Sequence, residues 1–216
     1  LRQPLRMISS YMQLLERGLS DQLDAEKRKF FDFAIDGARR MDAMMLGLLD
    51  YSRVGRKGEP LTRVDSRRLL DEALLFLRAA ATEASAQIEV LGDWPMVRVS
   101  PDEVMRLLQN LIANAIKYRI AGCKPEIVGR SQVSQTEWQV VVSDNGIGVL
   151  HDQIGRLFQV FQRLQSRAAY EGTGIGLALC RKIVLRHHGR IWVESGGEGQ
   201  GSCFTFCLPL LPESAP

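Results

Sequence analysis

The apolar residues of the first 54 positions recur at alternating steps of four and three, and no other feature restricts the fold as tightly. Leu1, Leu5, Ile8, Met12 and Leu15 form one seam; Phe31, Ala34, Ala38, Met41, Met45 and Leu48 form a second. Residues three and four apart share one face of a helix, so each run predicts a helix with a coiled-coil-like seam. Gly18 to Leu23 breaks the pattern, with Gly18 expected as a C-cap and Ser20 or Asp21 as an N-cap. Residues 1–54 therefore read as an antiparallel helical hairpin. Two helices cannot enclose a core alone, whereas two hairpins from two chains can form a four-helix bundle, so the seams predict a homodimer. The alternative is that each stripe packs on the rest of its own chain.

Gly55, Gly58 and Pro60, among charged neighbours, predict a linker over 55–62. Beyond it the pattern turns to mixed helices and strands over 63–211, with a short tail at 212–216. Helices are expected over 66–83 with Ser66 as N-cap, from Pro101 through Tyr118, near 152–164, and from about Gly174 to His188. Strands are expected at 87–91, 97–99, 126–133, 138–143, 190–194 and 202–208. The fold class is α+β, a helical hairpin followed by an α/β sandwich.

A formal charge of +3, with no basic run, no zinc-type spacing and no RNP-type aromatics, argues against nucleic acid as a partner. No apolar run approaches the ~18 residues needed to span a bilayer. Arg2 and Arg6 rule out a signal peptide at the N-terminus, and Leu1 in place of methionine predicts a piece of a longer protein. The four cysteines lack metal spacing and read as buried free thiols of a reducing compartment. Cys203 and Cys207 share a strand face, which leaves a metal pair as the lesser reading. A cytoplasmic location follows, for a parent that is either soluble or membrane-anchored.

Three clusters carry the chemistry. Asn110, Asn114 and Lys117 fall at i, i+4 and i+7 of one predicted helix, so their polar heads share a face. Amide oxygens can ligate magnesium and an ammonium can meet phosphate; the plain alternative is a solvated face. The second cluster, Asp144-Asn-Gly146-Ile-Gly148, follows a strand. A carboxylate fixed at a strand end can accept from an exocyclic amine, which distinguishes adenine from guanine. The third, Gly172-Thr173-Gly174-Ile-Gly176-Leu177, opens a helix, where backbone N–H groups can approach an anion. A dinucleotide fold would need a strand just before these glycines, and the stretch there is polar; a P-loop would need a following Gly-Lys-Ser/Thr. Both are excluded by context.

In this order the clusters closely resemble the sensor histidine kinases of two-component systems. Residues 110–118 resemble the family's N box, 144–148 its first glycine box, and 172–177 its second. Leu157-Phe158-Gln-Val-Phe161 is similar to its F box, and Gly199-Gln-Gly201-Ser202 to the glycine turn before its last strand. Residues 163–178 look especially like kinases of the phytochrome and PAS-sensor type, and residues 1–6 like the phosphoacceptor helix just past its histidine. The resemblance implies a dimerisation and phosphotransfer hairpin joined to an ATP-binding domain of the GHKL (Bergerat) type. It implies ATP and magnesium as ligands, with Asn114 the principal metal ligand and Asn110 assisting. Lys117 and Arg163 would meet phosphate and complete the catalytic set with the two asparagines. Tyr118, Asp144, Gly146 and Gly148 would line the adenine side, and Phe158 and Phe161 would anchor a mobile lid, unless both aromatics simply pack in the core. Thr173 and the backbone around Gly172, Gly174 and Gly176 would close over the phosphates, with Leu177 also in the nucleotide site.

The resemblance puts the attacking histidine two residues before Leu1. The histidines present are His151, His187 and His188, none on the first helix; the last two end a helix, where an imidazole suits the C-terminal dipole. The function expected is the catalytic core of a histidine kinase that phosphorylates that upstream histidine and relays the group to a response-regulator aspartate. Its partners would be a second copy, a receiver domain docking on the hairpin, and an upstream sensor domain. The alternatives are a non-catalytic ATP-binding or dimerisation module, and a GHKL ATPase. Asn110 stands where such ATPases carry a glutamate, and Gln3 where many of these kinases carry a residue used in phosphatase activity.

Overall fold

A computed structural model of the chain describes residues 2–19, 24–55, 60–162, 170 and 172–210. Helix α1 (Arg2–Gly18) and helix α2 (Ala25–Arg53) pack side by side as the hairpin. The N-cap of α2 is Asp24, whose carboxylate accepts from the Lys27 amide at 2.8 Å. This corrects the expectation of Ser20 or Asp21, which lie outside the described residues; Asp24 stands next to the first helical turn and reaches its orphan N–H groups.

Strand β1 (Thr62–Asp65) leads into α3 (Ser66–Glu83), followed by β2 (Gln87–Gly92), β3 (Met96–Val99) and α4 (Pro101–Lys117). The N-cap of α3 is not the expected Ser66 but Asp65, which accepts from the Arg67 amide at 2.8 Å, while Ser66 is fully buried and its hydroxyl finds no partner. Strand β1 was not expected, and it follows the 55–62 linker segment, overlapping it only at Thr62. It is short and polar, and it exists because it pairs antiparallel with β3, Thr62 opposite Val99.

Strands β4 (Glu126–Val133) and β5 (Glu137–Asp144) form the expected hairpin. Helix α5 (His151–Ile154) is a single turn rather than a helix through 164, because Gly155 closes it and turns continue the chain. At Phe161 the backbone reaches φ +65°, and its N–H goes to the Gly174 carbonyl instead of a helical partner. Helix α6 (Gly176–Arg186), β6 (Arg190–Glu194) and β7 (Ser202–Pro209) complete the chain.

The main sheet runs β2-β4-β5-β7-β6, parallel only between β2 and β4. Alternation along β5 turns Trp138, Val140 and Val142 inward, against Leu107, Leu108 and Leu111 of α4 and Ile183 and Val184 of α6. All of these are under 3% exposed, so the centre of the sandwich lies between α4, α6 and the middle of the sheet. Of the cysteines, Cys180 and Cys207 are buried, whereas Cys123 is exposed and Cys203 half-buried, so burial does not hold for all four. Among the described residues no helix is long and apolar enough to cross a membrane.

His187 caps the end of α6 and is buried. Its Nε2 accepts from the Ser100 amide at 3.0 Å, which places the proton on Nδ1, 2.8 Å from the Ile183 carbonyl. Burial pushes its pKa below the usual 6.5, opposed by the Ile183 bond and by Glu103, which is itself ion-paired to Arg186. The imidazole is therefore neutral, and the helix-dipole role expected of it is absent. Because the folded value is lowered, the unfolded chain takes up the proton first, and stability falls as pH drops below 6.5. Urea unfolding at about pH 7.5 and about pH 5.5 should show this loss, and His187→Gln should shrink it.

The end of α2 docks on the second unit. Val54 enters the main core, Lys182 Nζ donates to the Tyr51 carbonyl at 2.6 Å, and Arg106 pairs with Asp50 at 3.1 Å. Gly47 faces Ile175, and a β-carbon there would meet Ile175 Cδ1 at 2.9 Å. Gly47→Leu should therefore force this docking apart. Spin labels on α2 and β4 would read a lengthened and broadened distance distribution, and an unchanged one would count against the contact.

Candidate functional site

A cleft of about 220 Å³ opens between α4, the turn after β5 and the start of α6. Helical spacing places Asn110, Asn114 and Lys117 on its floor, where each is half-buried, while Leu107, Leu108 and Leu111 anchor the other face of α4 in the core. The Asn110 amide nitrogen donates to the Arg106 carbonyl at 2.8 Å. Its oxygen is thereby turned toward the opening of α6, where a β-carbon on Gly176 would lie 2.6 Å from it. Lys117 Nζ donates to the Tyr118 hydroxyl at 2.9 Å.

Asp144 ends β5 at the opposite side of the cleft. Its Oδ1 accepts from the Gly146 amide at 2.8 Å and the Ser202 amide at 3.3 Å; its Oδ2 accepts from the Ser202 hydroxyl at 2.6 Å. A carboxylate has about four lone-pair directions, so one acceptor position is left for a ligand. Burial pushes the Asp144 carboxyl above its usual 3.8, against the three bonds that favour the charged form. Gly148 turns the chain behind it at φ +70°, where a β-carbon would stand 2.0 Å from the Gly197 carbonyl oxygen, so no larger residue fits.

Of the residues singled out in the sequence, Asn110, Asn114, Lys117, Tyr118, Asp144, Gly148, Gly172, Thr173, Gly174, Gly176 and Leu177 all line this cleft. Gly146 does not line it but stands behind the wall, packed under the Tyr118 carbonyl. Phe158 is half-buried against the core, as an aromatic filling space would be, and Phe161 is 52% exposed and outside the lining. The Phe161 amide bonds to Gly174 at 2.9 Å, so the backbone of the F-box segment supports the glycine loop. Arg163 lies outside the described residues. The lining also includes Ile147, Leu157 and Ser202, which lie within the motifs but were given no role, and Val149, Gln162 and Phe204, which lie outside them. Motif membership was the signal for the first three, and for Ser202 it says nothing of its bond to Asp144.

One end of the cleft thus offers an acceptor and apolar walls suited to a flat amine-bearing base. The other offers an ammonium, amide oxygens and a glycine-rich helix start suited to an anion. Among the described residues no group of three or more His, Cys, Asp or Glu side chains could hold a metal ion. Magnesium, which keeps waters and phosphate oxygens among its ligands, requires no such cage and fits the amide oxygens of Asn114 and Asn110.

Comparison with known proteins agrees with this geometry. Residues 99–212 match the family model described as histidine kinase-, DNA gyrase B-, and HSP90-like ATPase, and residues 1–57 match the His Kinase A (phospho-acceptor) domain. The chain is 41% identical over 211 residues to the phytochrome-like protein Cph1 of Synechocystis sp., covering 97% of this chain and 28% of that protein. It is 38% identical over 216 residues to the adaptive-response sensory kinase SasA of a Synechococcus sp., covering 97% of this chain and 56% of that protein. Among solved structures, full-length ShkA in complex with AMPPNP superposes over 100% of this chain and 45% of that one, with TM-score 0.70 and 25% identity. The chain therefore spans between about a quarter and just over half of the length of these relatives. With an ATPase-type nucleotide cleft and a phospho-acceptor hairpin in one chain, the protein belongs to the histidine kinase-, DNA gyrase B- and HSP90-like ATPase family, as the catalytic core of a sensor histidine kinase.

Proposed function

We propose that this core binds ATP with magnesium in the cleft and transfers the γ-phosphoryl group to a histidine upstream of Leu1. From there the group passes to the aspartate of a response-regulator receiver domain docked on the hairpin. The observation that carries the reading is the remaining acceptor position on Asp144, held by Ser202 and Gly146 across the cleft from Asn110, Asn114 and Lys117. In this reading residues 1–54 are the dimerisation and phosphotransfer unit and residues 63–211 the ATP-binding unit.

Asp144 receives the adenine amine, with Gly146 and Gly148 shaping that wall. Tyr118 and Leu177 flank the nucleotide. Lys117, with Arg163 on the strength of the family resemblance, meets the phosphates, and the amides around Gly172, Thr173, Gly174 and Gly176 close over them. Asn114 and Asn110 hold magnesium, which supplies charge neutralisation at the phosphates when bound. Phosphoryl transfer depends mainly on positioning and charge, which these groups provide. Asp144 is the sole carboxylate among the described lining residues, and it sits at the adenine end. Asn110 stands where the resemblance puts the water-activating glutamate of a GHKL ATPase, and an amide is no general base, which favours transfer over ATP hydrolysis.

Ile8, Leu15, Met41 and Leu48 of the two seams are each at least 39% exposed, as are Tyr11, Leu14, Phe30 and Phe33. So extended an apolar face suits a second copy of the hairpin in a four-helix bundle. An ATP-consuming relay to a regulator places this core in the cytoplasm, with the sensor domain in the parent chain.

Calorimetry with ATP, with and without magnesium, is the direct test of binding. Asn114→Ala should remove most of the magnesium-dependent gain, about tenfold in affinity, and leave adenosine binding intact. For transfer, protein carrying its natural upstream residues is incubated with γ-labelled ATP. Acid-labile label on the protein is expected; nucleotide binding without such label would defeat the kinase reading.

A further inference from the structure

Tyr170 lies outside the cleft lining and in none of the glycine or asparagine clusters. Its hydroxyl donates a 2.9 Å hydrogen bond to the Arg119 carbonyl, just past the end of α4. Its ring packs on that of Tyr118, with centroids 5.2 Å apart and planes tilted by 49°. Tyr118 accepts from Lys117 Nζ at 2.9 Å, and the same ammonium lies 4.2 Å from the Tyr118 ring centre. Two residues beyond Tyr170, the chain passes close over that ammonium, since a β-carbon on Gly172 would stand 2.7 Å from Lys117 Nζ.

These contacts form a sequence of constraints. Tyr118 is the C-cap of α4, at φ −86° and ψ 37°, so its side chain leaves the helix where no following turn fixes it. Lysine has a long, flexible stem, and an ammonium that wanders forfeits much of its pull on a phosphate. The aromatic pair fixes the Tyr118 ring by an edge-tilted contact, and the bond to Arg119 ties the Tyr170 end of that pair to the helix terminus. A fixed Tyr118 hydroxyl then gives Lys117 one preferred position on the cleft wall.

We infer that Tyr170 is a positioning residue, which locks the Tyr118 ring and through it holds the Lys117 ammonium where the phosphates of a nucleotide would lie. The inference rests on the reading of the cleft as an ATP site. It assigns Tyr170 no contact with the base, so its effect grows with the negative charge of the ligand.

The test uses the full chain and calorimetric titration with magnesium-ATP and with adenosine, alongside thermal melts. Tyr170→Ala should weaken ATP about tenfold and adenosine by less than about twofold. Tyr170→Phe, which keeps the ring and loses the anchor on Arg119, should fall between, and it guards against a folding defect in the alanine variant. In a Lys117→Met background, Tyr170→Ala should cost nothing further for ATP, because the group it positions is gone. Equal weakening of ATP and adenosine, or a loss that persists undiminished beside Lys117→Met, would overturn the assignment. Failure of the unaltered protein to bind ATP at all would remove the nucleotide reading itself, and this inference with it.

Discussion

Asp144→Asn should lower ATP affinity about a hundredfold while leaving a folded protein. Asparagine can reproduce every protein contact of the carboxylate. Its oxygen can accept from the Gly146 and Ser202 amides, and its NH₂ can donate to the Ser202 hydroxyl, which rotates to suit. What it cannot do is accept from an adenine amine on that side, where it presents a donor to a donor. Titration calorimetry of both proteins reads the difference, and retained affinity in the asparagine variant would mean that Asp144 does not face the base.

The same residue sets opposite pH trends for binding and for stability. Burial raises the folded value of Asp144 above 3.8, so the folded chain holds that proton more tightly than the unfolded one. Its contribution to stability is therefore fully present below 3.8 and is lost as pH rises through the raised value. Once ionised, the buried carboxylate costs stability, and Asp144→Asn should leave the melting temperature unchanged or raise it. ATP affinity runs the other way, weakening as pH falls through the raised value, since protonation removes the acceptor.

Trp138→Ala should destabilise the second unit by about 4 kcal/mol, the largest single loss expected in the molecule. Trp138 is completely buried on β5, edge-on to Phe206 at 5.6 Å and 89° and to Trp94 at 6.2 Å and 71°. Its indole N–H donates at 2.9 Å to the Ser131 hydroxyl, which itself donates to the Asp93 carbonyl at 2.5 Å. Alanine leaves a large cavity in the centre of the sheet and deprives Ser131 of its donor. Guanidinium unfolding should show a lower midpoint at unchanged slope, and Trp138→Phe should lose less because part of the volume stays filled. A shift below about 1 kcal/mol would mean that the sheet repacks around the gap.

Much of this molecule is legible in local patterns. The 3.6-residue period is a property of the helix alone, so Asn110, Asn114 and Lys117 could be placed on one face of α4 before any tertiary contact was considered. Strand-forming composition likewise located β4, β5, β6 and β7 to within a residue or two, with alternate side chains of β5 turned into the core and a continuous run of β7 buried. The weaker readings fell where local signals conflict with distant partners. Nothing in Thr62-Arg-Val-Asp65 signals a strand until β3 lies beside it. The residues after Ile154 carry a helical pattern, but the Phe161 amide finds its acceptor at Gly174, across the cleft loop.

The site divides in the same way. Residue types and spacing were sufficient to name an acidic strand end, an amide-bearing helix face and a glycine-rich helix start, since each is a local device. That Ser202 completes Asp144 from 58 positions away, that Gly47 seats against Ile175, and that Tyr170 backs Tyr118 belong to the folded chain alone. Periodicity fixes the direction in which a side chain leaves its own element. Which partner it meets depends on how the elements stack to bury their apolar faces, and no single stretch of chain holds that information.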